Sequence, residues 1–353
     1  MAVENKRSSP YPEGSPQENF SSGLYSVDIL GYGVKQEGKV RDSWDVPRSD
    51  LRVMVTTDRT SAYDRVIATI PGKGQVLNML SAYWFDQTKD IIQNHVIAIP
   101  HPNVVIAKRA EQTLPVEVVV RGYMAKSSTS TSIYRNYNEG RRTIYGIDFP
   151  DGLVANQVFP DGPIITPTTK ATTGHDEELT EEQAKQRVDR QLGWGYWDQT
   201  KIAALDIFQR ASDIVSSRGL LLADTKFEFG IDAQKNLMLI DEVLTPDSSR
   251  YWLSESYDER MGKGLNPESF DKEILRRWLS DDAGYTGDGD VPEVDPAILQ
   301  QMADAYKVPY KMIVGADIPQ PYFPSEVLID YTSPEQIRQR TITAVNDILR
   351  KQH

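Results

Sequence analysis

The chain of 353 residues has no cysteine and only four histidines, His95, His101, His175 and His353, none at zinc-ligand spacing. Disulfides, thiolate metal sites and cysteine nucleophiles are therefore excluded, and any metal is expected to be a hard one held by oxygen. No apolar run approaches the roughly 20 residues needed to cross a bilayer, and the first residues lack the hydrophobic centre of a signal peptide. A cytoplasmic protein is expected. Positive charge is also short, with 39 Lys and Arg against 51 Asp and Glu and a formal net charge of −12. That balance argues against a general nucleic-acid binder, which needs basic surface to neutralise phosphates. Cations are instead concentrated locally, at Lys39/Arg41, Lys73, Arg121/Lys126 and Lys226/Arg250, where small anions can be held.

What is present is ordinary for a globular protein, 39% hydrophobic and 25% charged residues. Single cores rarely grow beyond about 250–300 residues, so two lobes are expected. Residues 1–23, rich in Ser, Pro, Glu and Asn, read as a mobile tail, 24–120 as a β-rich lobe and 121–353 as a mixed α/β lobe. In the first lobe, 38–44 and 51–56 read as strands joined near Pro47, 76 to about 92 as a helix, and 104–107 and 116–120 as further strands. In the second, helices are expected over 179–188, 196–218, 270–279 and from about 334, where Ile337, Thr341, Val345 and Leu349 make a core-facing stripe. The class is α+β.

The most informative stretch is 220–252. Thr225-Lys226-Phe227-Glu228-Phe229 alternates with period two, so Lys226 and Glu228 share one face. Residues 232–236 turn, 237–240 return as a second strand, and Asp241 stands at its end. Two readings are open: charges that merely face water, or Glu228 and Asp241 holding Mg²⁺ on nucleotide phosphates, since Mg²⁺ prefers one or two carboxylates plus phosphate oxygens and water. Elsewhere, residues 33–39 nearly spell a P-loop, but Val40 stands where the Mg²⁺-binding hydroxyl belongs. What remains is a Gly38-Lys39 turn between strands, able to lay N–H groups and a cation over phosphates or to serve only as a turn. Residues 57–64, with Asp58, Ser61 and Asp64, read as a loop that is either functional or an Asx-turn network. Glu117 interrupts an apolar strand closed by Arg121, so it is expected to be paired or functional. Asp176 and Glu177 precede a helix and can cap it; His175 is either an acid–base residue or a hydrogen-bonded structural histidine.

Taken together, GKVRD at 38–42, TDRTSAYD at 57–64, PGKG at 71–74, VVRG at 119–122, TPTTK at 166–170, ADTKFEFG at 223–230 and IDEVLTPDSSR at 240–250 resemble the SAICAR synthetase family. The resemblance spans about residues 25–280 in the family's order. It implies an ATP-dependent, Mg²⁺-requiring ligase that joins L-aspartate to the carboxylate of the imidazole ribotide CAIR, giving SAICAR, ADP and phosphate through an acyl phosphate. It implies a two-lobed fold similar to kinase and ATP-grasp nucleotide sites, with a glycine-rich flap over ATP in the cleft. By matching motif, Gly38, Lys39 and Arg41 are implied at the ATP phosphates, Glu117 near the nucleotide, and Glu228 and Asp241 on Mg²⁺. Lys226, Lys170 and Asp224 are implied at the reacting groups. Arg121, Ser127, Asp247, Ser248 and Arg250 are implied on CAIR, Ser61 and Asp64 near CAIR and aspartate, and Lys272 and Arg276 at the nucleotide-monophosphate end. The partners implied are small molecules, without nucleic acid or membrane, for a monomer or small homo-oligomer. A small-molecule kinase and a nucleotide sensor without turnover are the competing classes; ADP release that depends on aspartate separates ligation from kinase activity, and intact Lys226, Glu228 and Asp241 argue against the sensor.

Overall fold

Apolar residues alternating with polar ones build the first sheet of the computed structural model, which describes residues 12, 15–20, 23–29, 31–127, 129–170, 176–270, 273–315 and 333–352. His175 and Lys272 lie outside the described residues. The chain runs through β1 (Gln36–Glu37), β2 (Arg41–Asp45), β3 (Leu51–Thr56), a separate hairpin of β4 (Arg59–Ala62) and β5 (Arg65–Thr69), helix α1 (Lys73–Gln87), β6 (Val96–His101) and β7 (Val104–Lys108). The sheet is antiparallel in the order β1-β2-β3-β7-β6. Its two faces sort by parity: Leu51, Val53, Val55, Val104 and Ile106 face one core cluster, and Met54, Val105 and Ala107 face the other, beneath α1.

The second sheet is built from β8 (Gln112–Thr113), β9 (Val116–Arg121), β12 (Ile164–Thr169), β13 (Leu220–Ile231), β14 (Leu237–Ile240) and β15 (Ser249–Leu253). Between them come α2 (Ile133–Asn138), the small hairpin β10 (Thr143–Ile144) and β11 (Ile147–Asp148), and helices α3 (Glu181–Leu192) and α4 (Tyr196–Ser216). The order is β12-β9-β13-β14, with β8 and β15 also on β13, and every pairing is antiparallel. Val116, Val118, Val120, Phe227 and Phe229 bury one face of this sheet in the large core that α3 and α4 close. The chain ends through α5 (Ser254–Gly262), α6 (Glu273–Arg277), a π-turn (Trp278–Asp282), α7 (Pro296–Val314) and α8 (Pro334–Gln352). This is an α+β fold, as expected.

Several elements depart from the sequence reading, each for a local reason. Residues 57–64 are not a loop but the first arm of the β4–β5 hairpin, whose burial on both faces hides any alternation. Tyr63 and Asp64 form its turn with φ of 51° and 61°, the left-handed pair that matches the twist of the flanking strands. Asp58 accepts N–H bonds from Leu24 (2.7 Å), Gly74 (2.8 Å) and Gly72 (3.2 Å), so it is the Asx-type organiser of this corner. A side chain at Gly74 would meet the Thr56 carbonyl at 2.4 Å, which fixes glycine there. Helix α3 is capped by Thr180 and Gln183 in a reciprocal capping box, not by Asp176 or Glu177. Helix α7 was not read at all: Asp295 caps it and Pro296 starts it, but Pro309 interrupts its pattern. Asn19 and Phe20, placed by the sequence in a mobile tail, are buried, and Asn19 ties Ile67 (3.1 Å), Pro292 (3.0 Å) and Val294 (2.8 Å) together.

The stripe on α8 is core, as expected, with Ile337, Thr341 and Val345 fully buried. Its core is that of the first sheet: α8 lies against β6 and β7, and the Tyr32 hydroxyl donates to Asn346 Oδ1 (3.1 Å) and to the Ile342 carbonyl (3.4 Å).

Candidate active site

Strand register brings the charged residues of the second sheet into rows on the face opposite α4. Directly paired residues share a face, so Thr168 lies beside Glu117, Thr166 and Lys226 flank Val119, and Arg121 and Arg250 flank Asp224. Lys226 Nζ donates to Glu117 Oε1 and to Glu228 Oε1, both at 3.0 Å. Lys170 pairs with the other oxygen of Glu228. One row along, Asp224 Oδ2 receives Arg121 Nη1 and Arg250 Nη2, both at 3.2 Å, while Arg121 Nε reaches Thr166 Oγ1 at 2.9 Å. Arg250 also donates to the Lys126 carbonyl at 3.4 Å, which sets Ser127 at this end of the sheet.

The first sheet contributes the Gly38-Lys39 turn between β1 and β2. Lys39 pairs with Asp64 at the tip of the β4–β5 hairpin, and Ser61 lies half-buried in the same hairpin. Arg41 donates to Asp241 Oδ1 at 2.5 Å and reaches Glu242 Oε1 at 3.1 Å. The flap is braced from below by a residue the motif reading passed over: Arg59, fully buried, donates to the carbonyls of Tyr25 (2.5 Å), Gly38 (2.9 Å) and Lys39 (3.2 Å) and to Asp42 (2.6 Å).

Electrostatics decide the protonation states. Burial works against the Lys226 ammonium, but Glu228, Glu117 and Asp241 outweigh it, so its pKa lies well above the ordinary lysine value. Burial pushes the Glu117 carboxyl up, with Lys226 pulling the other way. Asp241 is held below the usual carboxylate range: burial opposes this, and Arg41 and Lys226 overcome it. Asp241 also sits at φ 66°, a left-handed backbone that β-turning non-glycine residues adopt at a cost and that redirects its side chain off the strand.

Among the described residues no three His, Asp or Glu side chains are arranged to hold a metal by themselves. The donor set nevertheless fits Mg²⁺ on a nucleotide, which needs only one or two carboxylates to complement phosphate oxygens and water. Glu228 and Asp241 offer oxygen alone and stand at neighbouring positions of the β13–β14 hairpin, where Glu228 pairs with Ile240.

The structure does not bring every expected residue to this face. Asp247 lies beneath it: its side chain is 2% exposed, with Oδ2 at 2.7 Å from Lys73 Nζ and Oδ1 accepting from the Tyr306 hydroxyl at 2.7 Å. Both of its oxygens are thus bonded to side chains of α1 and α7, which ties Asp247 to those two helices. Ser248 turns its hydroxyl toward the Thr245 N–H (3.2 Å). Arg276 is half-buried on α6, which follows the residues bridged to the β15 edge at Trp252. Glu242, beside Arg41, was missed because two adjacent carboxylates in a strand exit look alike. Thr168 was passed over too; it is buried beside Glu117, and its hydroxyl has no hydrogen-bond partner among the described residues.

The sequence profile of the SAICAR synthetase family matches residues 34–290. Among curated relatives, the phosphoribosylaminoimidazole-succinocarboxamide synthase of Legionella pneumophila (strain Lens) is 45% identical over 289 residues, 81% of this chain and 89% of the relative. The chloroplastic synthase of Arabidopsis thaliana is 40% identical over 309 residues, 86% of this chain and 73% of its own length. Among solved structures, the SAICAR synthase from Saccharomyces cerevisiae complexed with SAICAR superposes with a TM-score of 0.71 at 30% identity, over 84% of this chain and 99% of that one.

Proposed function

This chain belongs to the SAICAR synthetase family, and from that premise we infer how its cleft works. It ligates L-aspartate to the carboxylate of CAIR at the expense of ATP, releasing SAICAR, ADP and phosphate in purine biosynthesis. A carboxylate oxygen is a poor leaving group, so the γ-phosphoryl group first passes to it, breaking the bond to ADP and forming an acyl phosphate. The aspartate amine then attacks the acyl carbon, the C–N bond forms, the C–O bond to phosphate breaks, and the amine loses its proton. Every participant is anionic, so the site works mainly by alignment and charge stabilisation.

The observation that carries this reading is Lys226, held between Glu117 and Glu228 with its proton firmly bound. It cannot act as a base; it is a fixed cation for the charge that builds on the reacting carboxylate and the transferring phosphoryl group. Gly38, Lys39 and Arg41 receive the ATP phosphates, with Glu117 at the nucleotide and Lys170 at the transferring end. Arg121 and Arg250, aligned by Asp224, grip the phosphate and carboxylate of CAIR with Ser127 and Ser248, while Lys272 and Arg276 serve its monophosphate end. Ser61 and Asp64 face CAIR and the incoming aspartate. Glu228 and Asp241 would hold Mg²⁺, which neutralises phosphate oxygens when bound. Lys39, Arg41, Arg121, Lys170, Lys226 and Arg250 are ion-paired to carboxylates, which keeps these groups poised until anionic ligands compete for them.

We place the protein in the cytoplasm as a monomer or small homo-oligomer; among the described residues no helix is long and apolar enough to cross a membrane. The test is ADP release from ATP and CAIR with and without L-aspartate, with product nitrogen traced from labelled aspartate. Release that ignores aspartate sinks the ligase assignment in favour of a kinase.

A further inference from the structure

We propose that Tyr306, on α7 and beyond the residues 34–290 matched by the family profile, is a positioning residue for the 245–250 loop that carries Ser248 and Arg250. The proposal rests on the reading that this loop grips the imidazole nucleotide. Lys73, at the first turn of α1, points a fully buried ammonium at Asp247 Oδ2 (2.7 Å) and at the Arg59 carbonyl (3.2 Å). From the other side Tyr306, itself 2% exposed, donates its hydroxyl to Asp247 Oδ1 at 2.7 Å, and its ring centroid lies 5.4 Å from the Lys73 ammonium. Helices α1 and α7 pack on each other, so the carboxylate is clamped between two rigid elements.

The clamp is transmitted along a short, fully bonded turn. The Asp247 N–H donates to Thr245 Oγ1 (3.2 Å) and the Ser248 N–H to the Thr245 carbonyl (3.1 Å). The Ser248 carbonyl accepts the Lys226 N–H at 2.8 Å, and Arg250 follows two residues later, opposite Asp224. Orienting Asp247 therefore sets both the nucleotide-gripping side chains and the backbone beneath Lys226. A lysine ammonium is a point charge with rotatable donors and fixes distance but not direction. The tyrosine hydroxyl supplies the direction, and sites of this kind lose function when their support loosens by about 0.5 Å.

Tyr306→Phe deletes the hydroxyl and keeps the ring against Lys73, so the helix packing survives. The expected result is a rise of about tenfold in KM for CAIR, the scale of one lost hydrogen bond to a charged group, with a smaller fall in kcat through the backbone beneath Lys226 and with KM for ATP within about twofold. Arg250→Ala is measured beside it. A raised KM in both variants supports the proposal. An unchanged KM in Tyr306→Phe with a raised one in Arg250→Ala overturns it while leaving the site reading intact. So does a lowered thermal midpoint with unchanged KM, which would make Tyr306 a packing residue only. If Arg250→Ala leaves the KM for CAIR unaltered, the site reading itself fails and the proposal falls with it.

Discussion

Arg41 and Asp241, 200 residues apart in sequence, meet at 2.5 Å and join the strand after the flap to the end of β14. The same guanidinium holds Glu242, so one cation couples the two sheets at the point where nucleotide phosphates are proposed to bind.

If Asp241 is a Mg²⁺ ligand, Asp241→Asn removes a charge that Mg²⁺ needs and also frees Arg41. The expected outcome is a rise of about tenfold or more in the Mg²⁺ concentration that half-saturates ADP release. A titration curve superimposable on that of the unaltered protein would remove Asp241 from the metal site.

Lys226→Ala deletes the fixed cation at the reacting carboxylate. The side chain is 32% exposed, so little packing is lost, but Glu117 and Glu228 lose their shared cation and a lowered thermal midpoint is expected alongside the loss of turnover; the assay is therefore run well below that midpoint. Turnover should fall by about 10²–10³-fold, the range seen when one preorganised electrostatic contact is lost. Near-normal kcat would refute the role.

Arg59→Met tests the brace under the flap. It strips a buried guanidinium from three carbonyls and from Asp42, although Lys35 remains at 2.9 Å from that carboxylate. The loss should approach the lower end of what breaking a buried ion pair costs, about 3 kcal/mol, read as a shift in the denaturant midpoint. KM for ATP should rise as well, since Gly38 and Lys39 lose their anchor; an unshifted midpoint would rule out the bracing role.

His95 and His101 are both buried, and burial lowers the pKa of each to about 4. In the unfolded chain they titrate near 6.5, so between these values the unfolded state binds more protons and stability rises with pH. The predicted loss on acidification therefore spans pH 6.5 down to 4 and is on the order of 3 kcal/mol for His95. Denaturant midpoints measured across that window for His95→Gln should show a shallower slope than the unaltered chain; parallel slopes would contradict the assignment.

Legibility tracked the range of the interactions. The row of Lys226 and Glu228 was readable because period-two alternation is a local signal, and the β13–β14 turn was readable from its polar residues. The β4–β5 hairpin was not, since both of its faces are buried. Nor was the fate of Lys73: nothing near the PGKG segment announces that its cation is buried against a carboxylate 174 residues away. The partners of Asp247 were equally hidden, because they come from α1 and α7, far from it in sequence.

The placement of α8 has a consequence for how the protein is made. Leu24, Val27 and Ile29 can cover part of the first sheet early, but the side over β6 and β7 waits for α8, and Tyr32 waits for acceptors as far as 314 residues downstream. Vectorial synthesis thus leaves the β6–β7 side of the cluster around Val104 and Ile106 open on the nascent chain until residues 334–352 follow.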